Sequence, residues 1–188
     1  MKILIFTVIF LILLSLFSTS QNSAFSQYDT KDYPVKSNTF VKKVMKMSST
    51  AFQNNNSIPK KYTCDGENLS PPLKISDIPK KTKSIALIVD DPDATIGTFT
   101  HWVIWGISPK KSQFGEGEKK GFSEGITGFG KTGYSGPCPP SGTHRYFFKL
   151  YALDSAIDIS TKSNKQDLLA SIQNHVIQTA TLIGKYSR

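Results

Sequence analysis

Three short stretches gather the side chains with the most chemical reach. In "DDPDA" (Asp90–Ala94) two carboxylates, Asp91 and Asp93, flank a proline at the end of an apolar run. His101 stands inside a second apolar run, "FTHWVIWGI" (Phe99–Ile107). His144 and Tyr146 stand two residues apart in "THRYFF", behind the proline-rich lead "GPCPPSG" (Gly136–Gly142). Residues two apart on an extended chain share a face, so this imidazole and phenol project together. Imidazole N–H and phenol O–H groups are donors that suit a phosphate oxygen. A carboxylate beside a histidine orients the ring and favours its charged form, and it can also accept from an ammonium group. The set therefore offers hydrogen-bond donors and carboxylate acceptors that one small charged ligand could meet together. Taken singly, each stretch has a plainer use: a strand-end turn, a hydrogen-bonded core histidine, a buried ring.

The same residues open other chemistries. Asp91, Asp93, His101 and His144 are a donor set that zinc, manganese or iron could use, and a bound water would make a metal-dependent hydrolase. Cys138 with a histidine would be a thiol nucleophile. Prolines flank Cys138 on both sides, however, and no helix start or oxyanion loop adjoins it. Nucleophile, base and oxyanion hole do not fall into register, so the expectation is binding without turnover. No cofactor is expected.

The elements that must position these groups are strands. "KSIALIVD" (Lys83–Asp90) is a continuous apolar run of the kind a buried strand shows. In "HRYFFKLYALD" (His144–Asp154), His144, Tyr146, Phe148, Leu150 and Ala152 share one face, with Arg145, Phe147, Lys149 and Tyr151 on the other. Glycine- and proline-rich turns punctuate the rest. Together they predict an all-β antiparallel sandwich with peripheral helices. One helix is predicted near the C-terminus. Ser163 caps it with Gln166 closing a capping box, Leu168, Leu169, Ile172, Val176, Ala180 and Ile183 form its apolar face, and Gly184 ends it. The proline lead into His144 would hold a pocket wall without an ordering cost at binding.

The N-terminus has a different character. Met1-Lys2, an apolar run Ile3–Phe17 and Ser18-Thr19-Ser20 read as a signal peptide over residues 1–20, with an uncleaved anchor as the alternative. Residues 21–44 read as a polar linker and 45–188 as one domain. Export is therefore expected, and it permits a disulfide between Cys64 and Cys138, with two free thiols as the other reading. The formal charge is +9, from lysine pairs scattered in turns. That pattern fits a solvated surface or attraction to anionic lipid better than nucleic acid. "GITGFGKT" (Gly125–Thr132) matches a phosphate-loop pattern, but no strand leads in and "GYSGPCPP" cannot open a helix.

Four segments, "YTCDGENLSPPL", "DDPDA", "HWVIWGI" and "GYSGPCPPSGTHRYFFKLYALD", together resemble the phosphatidylethanolamine-binding protein family. The prokaryotic branch, called Raf kinase inhibitor-like, is the nearest in pattern. The resemblance runs from about Met45 to Arg188. It implies a Greek-key β-sandwich with a small anion pocket at one end. The family's Asp-Pro-Asp falls on Asp91-Pro92-Asp93, its strand histidine on His101, its Gly-x-His-Arg on Gly142–Arg145 and its pocket tyrosine on Tyr146. Gly136 and Pro137 match its glycine-proline wall. Thr95 stands where the family usually has proline, which implies a less rigid entrance. Relatives are described as inhibitors of kinases or of serine proteases, and some are dimers. For an exported chain this implies a phosphate ester or phospholipid headgroup as ligand, with surface-mediated protease inhibition as the competing role.

Overall fold

The computed structural model describes residues 43–188. The expected signal peptide and nearly all of the expected linker lie outside the described residues.

The chain builds two antiparallel sheets. Strands β1 (Lys46–Ser48), β2 (Leu73–Ser76) and β5 (Gln113–Phe114) form the smaller one, in the order β1-β2-β5. The larger has the order β6-β4-β3-β7-β8 and contains β3 (Ser84–Asp91), β4 (Phe99–Ile107), β6 (Ser123–Glu124), β7 (Thr143–Leu153) and β8 (Val176–Ser187). β3 is central and buried along its whole length, which explains its unbroken apolar run. Its two faces serve different cores. Ile85, Leu87 and Val89 pack into the sandwich with Met47, Ile75, Trp102, Phe148 and Leu150. Ala86 and Ile88 pack on the outer side with Val103, Trp105, Leu168 and Ile172. The last two belong to the single α-helix among the described residues, α1 (Lys165–Ile172), which covers that face.

The C-terminal helix is shorter than its apolar spacing predicts. It stops at Ile172, and Val176–Ser187 is strand β8, paired with β7 throughout. Steps of four residues satisfy both periods, so Leu168, Ile172, Val176 and Ala180 fit a helical stripe and an alternating strand equally. The β-branched run "VIQTATLI" and the free edge of β7 decide for the strand. The cap is also displaced by one residue: Asn164 caps α1, with Asp167 closing the box.

The parity of β3 separates its two terminal aspartates. Asp90 faces the helix side, fully buried, where its Oδ2 accepts from Lys149 at 3.1 Å and Lys165 at 2.9 Å. Thr100 donates to its other oxygen. Lys165 opens α1, so this acid fastens the helix to the sheet. Asp90→Asn should lower stability by about 2 kcal/mol, read in urea unfolding, because two ammonium groups lose their buried partner. An unchanged midpoint would contradict that role. Asp91 faces the other way, into the end of the sandwich where the site lies.

Candidate binding site

At the end of the larger sheet, Asp91, His101 and His144 line one cavity of about 180 Å³. All three are buried. The outer lining is Ala94, Thr95, Phe99, Phe129, Cys138 and Pro140. The cavity thus has a polar, buried floor and a largely apolar, more exposed rim.

Each floor residue is held by a specific local feature. Asp91 ends β3 and does two tasks: its Oδ1 accepts from the Asp93 N–H at 2.9 Å, closing the turn, and its Oδ2 meets His144 Nδ1 at 2.7 Å. A carboxylate only accepts, so the His144 Nδ1 carries the proton and Nε2 is left to a ligand. His101 reaches the floor through a β-bulge. Trp102 pairs with Val89 and Thr100 with Asp90, so His101 is the extra residue between them. Strict alternation would send it to the helix side with Val103. The bulge re-aims it onto Tyr146, ring centroids 5.2 Å apart. Its Nδ1–H donates to the Ser135 carbonyl at 2.7 Å, and the Ser135 N–H donates back to the His101 carbonyl. Burial holds the His101 imidazole below its ordinary pKa, only partly offset by the Ser135 carbonyl and Asp91. A neutral ring with Nδ1 committed offers an acceptor at Nε2, not the donor that the sequence reading assigned to it.

The other singled-out residues stand one layer away. Tyr146 is fully buried behind His101, and its hydroxyl has no hydrogen-bond partner among the described residues. Burial, reinforced by the nearby Asp91 charge, pushes its phenol well above the ordinary value, so it stays a neutral donor. Asp93 does not line the cavity. Its carboxylate takes the Arg145 guanidinium in a two-pronged pair (2.9 and 2.7 Å) and the Arg145 N–H at 2.9 Å. Arg145 holds that carboxyl at a pKa of about 2. Asp-Pro-Asp is therefore a rivet between the β3–β4 turn and the start of β7. The four-ligand metal set that the sequence left open as a competing reading is not gathered at one point among the described residues, because Asp93 pairs with Arg145.

Gly136 and Pro137 form the backing of the wall instead of its surface. The Gly136 N–H donates to Asn68 Oδ1 at 2.7 Å, and the Pro137 carbonyl accepts from Cys64 N–H at 3.1 Å. A Cβ on Gly136 would collide with the Tyr62 carbonyl oxygen, so the close approach needs glycine. Cys64 and Cys138 are bonded to each other, with Cα atoms 5.4 Å apart. That removes Cys138 as a nucleophile and ties one lining residue to the 60–70 segment. The phosphate-loop look-alike has no helix after it; it is a turn that presents Phe129 at the rim. Gly128 lets that turn press on Phe99, whose ring a Cβ would meet at 2.6 Å.

A larger cavity of about 440 Å³ lies around Trp102, Tyr134 and Glu124 and contains none of the singled-out residues. Its Glu118 is engaged by Lys111 and the Gly115 N–H, and its Glu124 accepts from the Trp102 indole. Chemistry, not size, selects the smaller cavity.

Residues 48–187 match the model of the family described as phosphatidylethanolamine-binding protein. The chain belongs to the phosphatidylethanolamine-binding protein family. A UPF0098 protein of Methanothermobacter thermautotrophicus is 46% identical over 150 residues, which span 77% of this chain and 99% of that one. The solved structure of a phosphatidylethanolamine-binding protein homolog from Chlamydia trachomatis superposes with a TM-score of 0.76 at 40% identity, covering 77% of this chain and 98% of that one. Escherichia coli YbcL, described as a member of the mammalian family, gives 0.72 at 27% identity over 78% and 99% of the two chains. In these relatives the matched domain is nearly the whole chain, so the family fold is complete without an added N-terminal segment.

Proposed function

We propose that this family member is an exported binding protein whose cavity takes the phosphate ester of a phosphoethanolamine headgroup and releases it unchanged. The observation that carries the reading is the Asp91–His144 pair at 2.7 Å on the floor of a small cavity shared with His101. Asp91 fixes the His144 ring, so that His144, once protonated, presents an N–H to an anion at no further ordering cost. The rim leaves room for the ammonium end, and the Asp91 charge lies close by to attract it. Turnover is left out of the reading because Cys138 is bonded and both imidazole Nδ1 atoms are committed to fixed partners. Export is supported by the leader pattern of residues 1–20 and by the disulfide, since such bonds persist in oxidising compartments.

The floor has a pH signature. His101 is neutral in the free protein near pH 7, and a phosphate monoester loses its second proton at about pH 6. Its Nε2 can share a phosphate oxygen only if a proton sits between them, carried in by the ligand or taken up by the ring. The complex therefore holds a proton that the free partners lack. Affinity for phosphoethanolamine should rise by about ten-fold as pH falls from about 7.5 to about 6, with net proton uptake. Titration calorimetry in buffers of different ionisation heat reads both quantities. Absence of binding at millimolar ligand would refute the headgroup reading, and pH-independent binding would refute a proton shared between the floor imidazoles and the phosphate.

A further inference from the structure

We propose that the larger cavity, around Trp102 and Tyr134, is a second binding site of this chain and that its ligand is an aliphatic polyamine. The proposal is independent of the headgroup reading, because the two cavities share no lining residue.

At about 440 Å³ the cavity falls in the ordinary range for small-ligand sites. Its walls are fixed to the rest of the fold before any ligand arrives. The Gly117 N–H donates to the Ser70 carbonyl at 2.9 Å, and the Tyr134 hydroxyl donates to the Tyr62 carbonyl at 3.0 Å. The lining runs against the charge of the chain. The protein carries +9, yet this cavity has Glu67, Glu118 and Glu124 against Lys119 alone, which is exposed. Glu118 is neutralised by Lys111. Glu67 is not, since Lys61 lies 4.0 Å from it but 2.5 Å from Glu116. Glu124 takes the Trp102 indole N–H on Oε1 at 3.1 Å, and its Oε2 has no hydrogen-bond partner among the described residues.

Ser70 points to a ligand independently of the acids. It lines the cavity at 4% exposure, and its hydroxyl has no hydrogen-bond partner among the described residues. A hydroxyl so deeply buried ordinarily has a partner, and the N–H of a bound ammonium group supplies one. The carboxylates do not converge: among the described residues no three acidic, histidine or cysteine side chains are placed to hold a metal ion. Negative charges spread around a cavity suit a ligand whose positive charges are spread as well. Leu69, Trp102 and Tyr134 add apolar wall, against which the methylenes between ammonium groups can lie. A phosphate ester is repelled by this lining, and a neutral apolar ligand leaves Glu124 and Ser70 unpaired.

The test uses the chain from residue 41 to 188, which clusters as one compact unit and corresponds to the near-complete relatives. It is titrated with spermidine at constant ionic strength, by calorimetry and by NMR of the indole N–H groups. Binding should saturate, and the Trp102 indole resonance should move with it, because that N–H is held by Glu124. The Trp105 resonance, from the core under α1, should stay in place. Glu124→Gln keeps an acceptor for the indole and removes the charge, so spermidine affinity should fall by about ten-fold. Glu67→Gln, on the exposed rim, should lower it by about three-fold, with the indole signals confirming that each variant is folded. Wild-type affinity in both variants would overturn the site. So would a Trp102 signal that does not move at millimolar spermidine, or a movement that sodium chloride reproduces at matched ionic strength.

Discussion

His144→Ala should lower the affinity for phosphoethanolamine by about a hundred-fold. The substitution removes the ring that faces the ligand. It also leaves the Asp91 carboxylate, buried and unpaired, beside an incoming phosphate. Both effects act in the same direction: a lost charge-assisted hydrogen bond costs about 1.5–3 kcal/mol, and like charges repel. The single variant should also unfold at a lower temperature, because an unpaired buried acid is costly. The double variant His144→Ala with Asp91→Asn separates the two roles. It should regain part of the stability and none of the binding. Thermal unfolding reads the first and calorimetry the second. Recovery of affinity in the double variant would mean that repulsion, not the imidazole, sets the effect.

Replacing Cys64 and Cys138 together by serine should lower stability by about 4 kcal/mol, as expected when a long closed loop in the unfolded chain is released. The two residues are 74 apart in sequence. Urea unfolding of the double variant, set against wild type with and without reductant, measures the loss. Cys138 lines the cavity and the neighbouring Pro137 carbonyl holds the Cys64 N–H, so the loosened wall should also weaken phosphoethanolamine binding several-fold. Equal stability of reduced and oxidised wild type would show that the prolines and the Gly136 contacts suffice to hold the wall.

The legible parts of the sequence were those with a single period and strong bounds. "SIALIVDD", "FTHWVIWGI" and "THRYFFKLYAL" each became a strand, because β-branched and aromatic residues filled them and turns closed them. The failures share a different cause: the deciding information lay on a neighbouring strand. The edge of β7 turned an ambiguous apolar spacing into β8. A bulge against β3 turned His101 out of its parity. The one sequence sign of that bulge is that Trp102 and Ile104 need the sandwich face, which leaves His101 with Val103 and Trp105. Asp93 looked equivalent to Asp91, yet Arg145 claimed it, and the Arg145 position only becomes adjacent once β7 lies beside β3. The disulfide stayed open in sequence because spacing does not give a Cα separation.

The family's fold and the polar cavity together leave one direct question, whether an anion occupies the floor between the two histidines. Crystals soaked in phosphoethanolamine answer it. The account predicts a phosphate within hydrogen-bond distance of Nε2 of both His101 and His144, with the Asp91–His144 pair intact. Phosphate density in the larger cavity beside Glu124, or on surface lysines with the Asp91 cavity holding water alone, would contradict it.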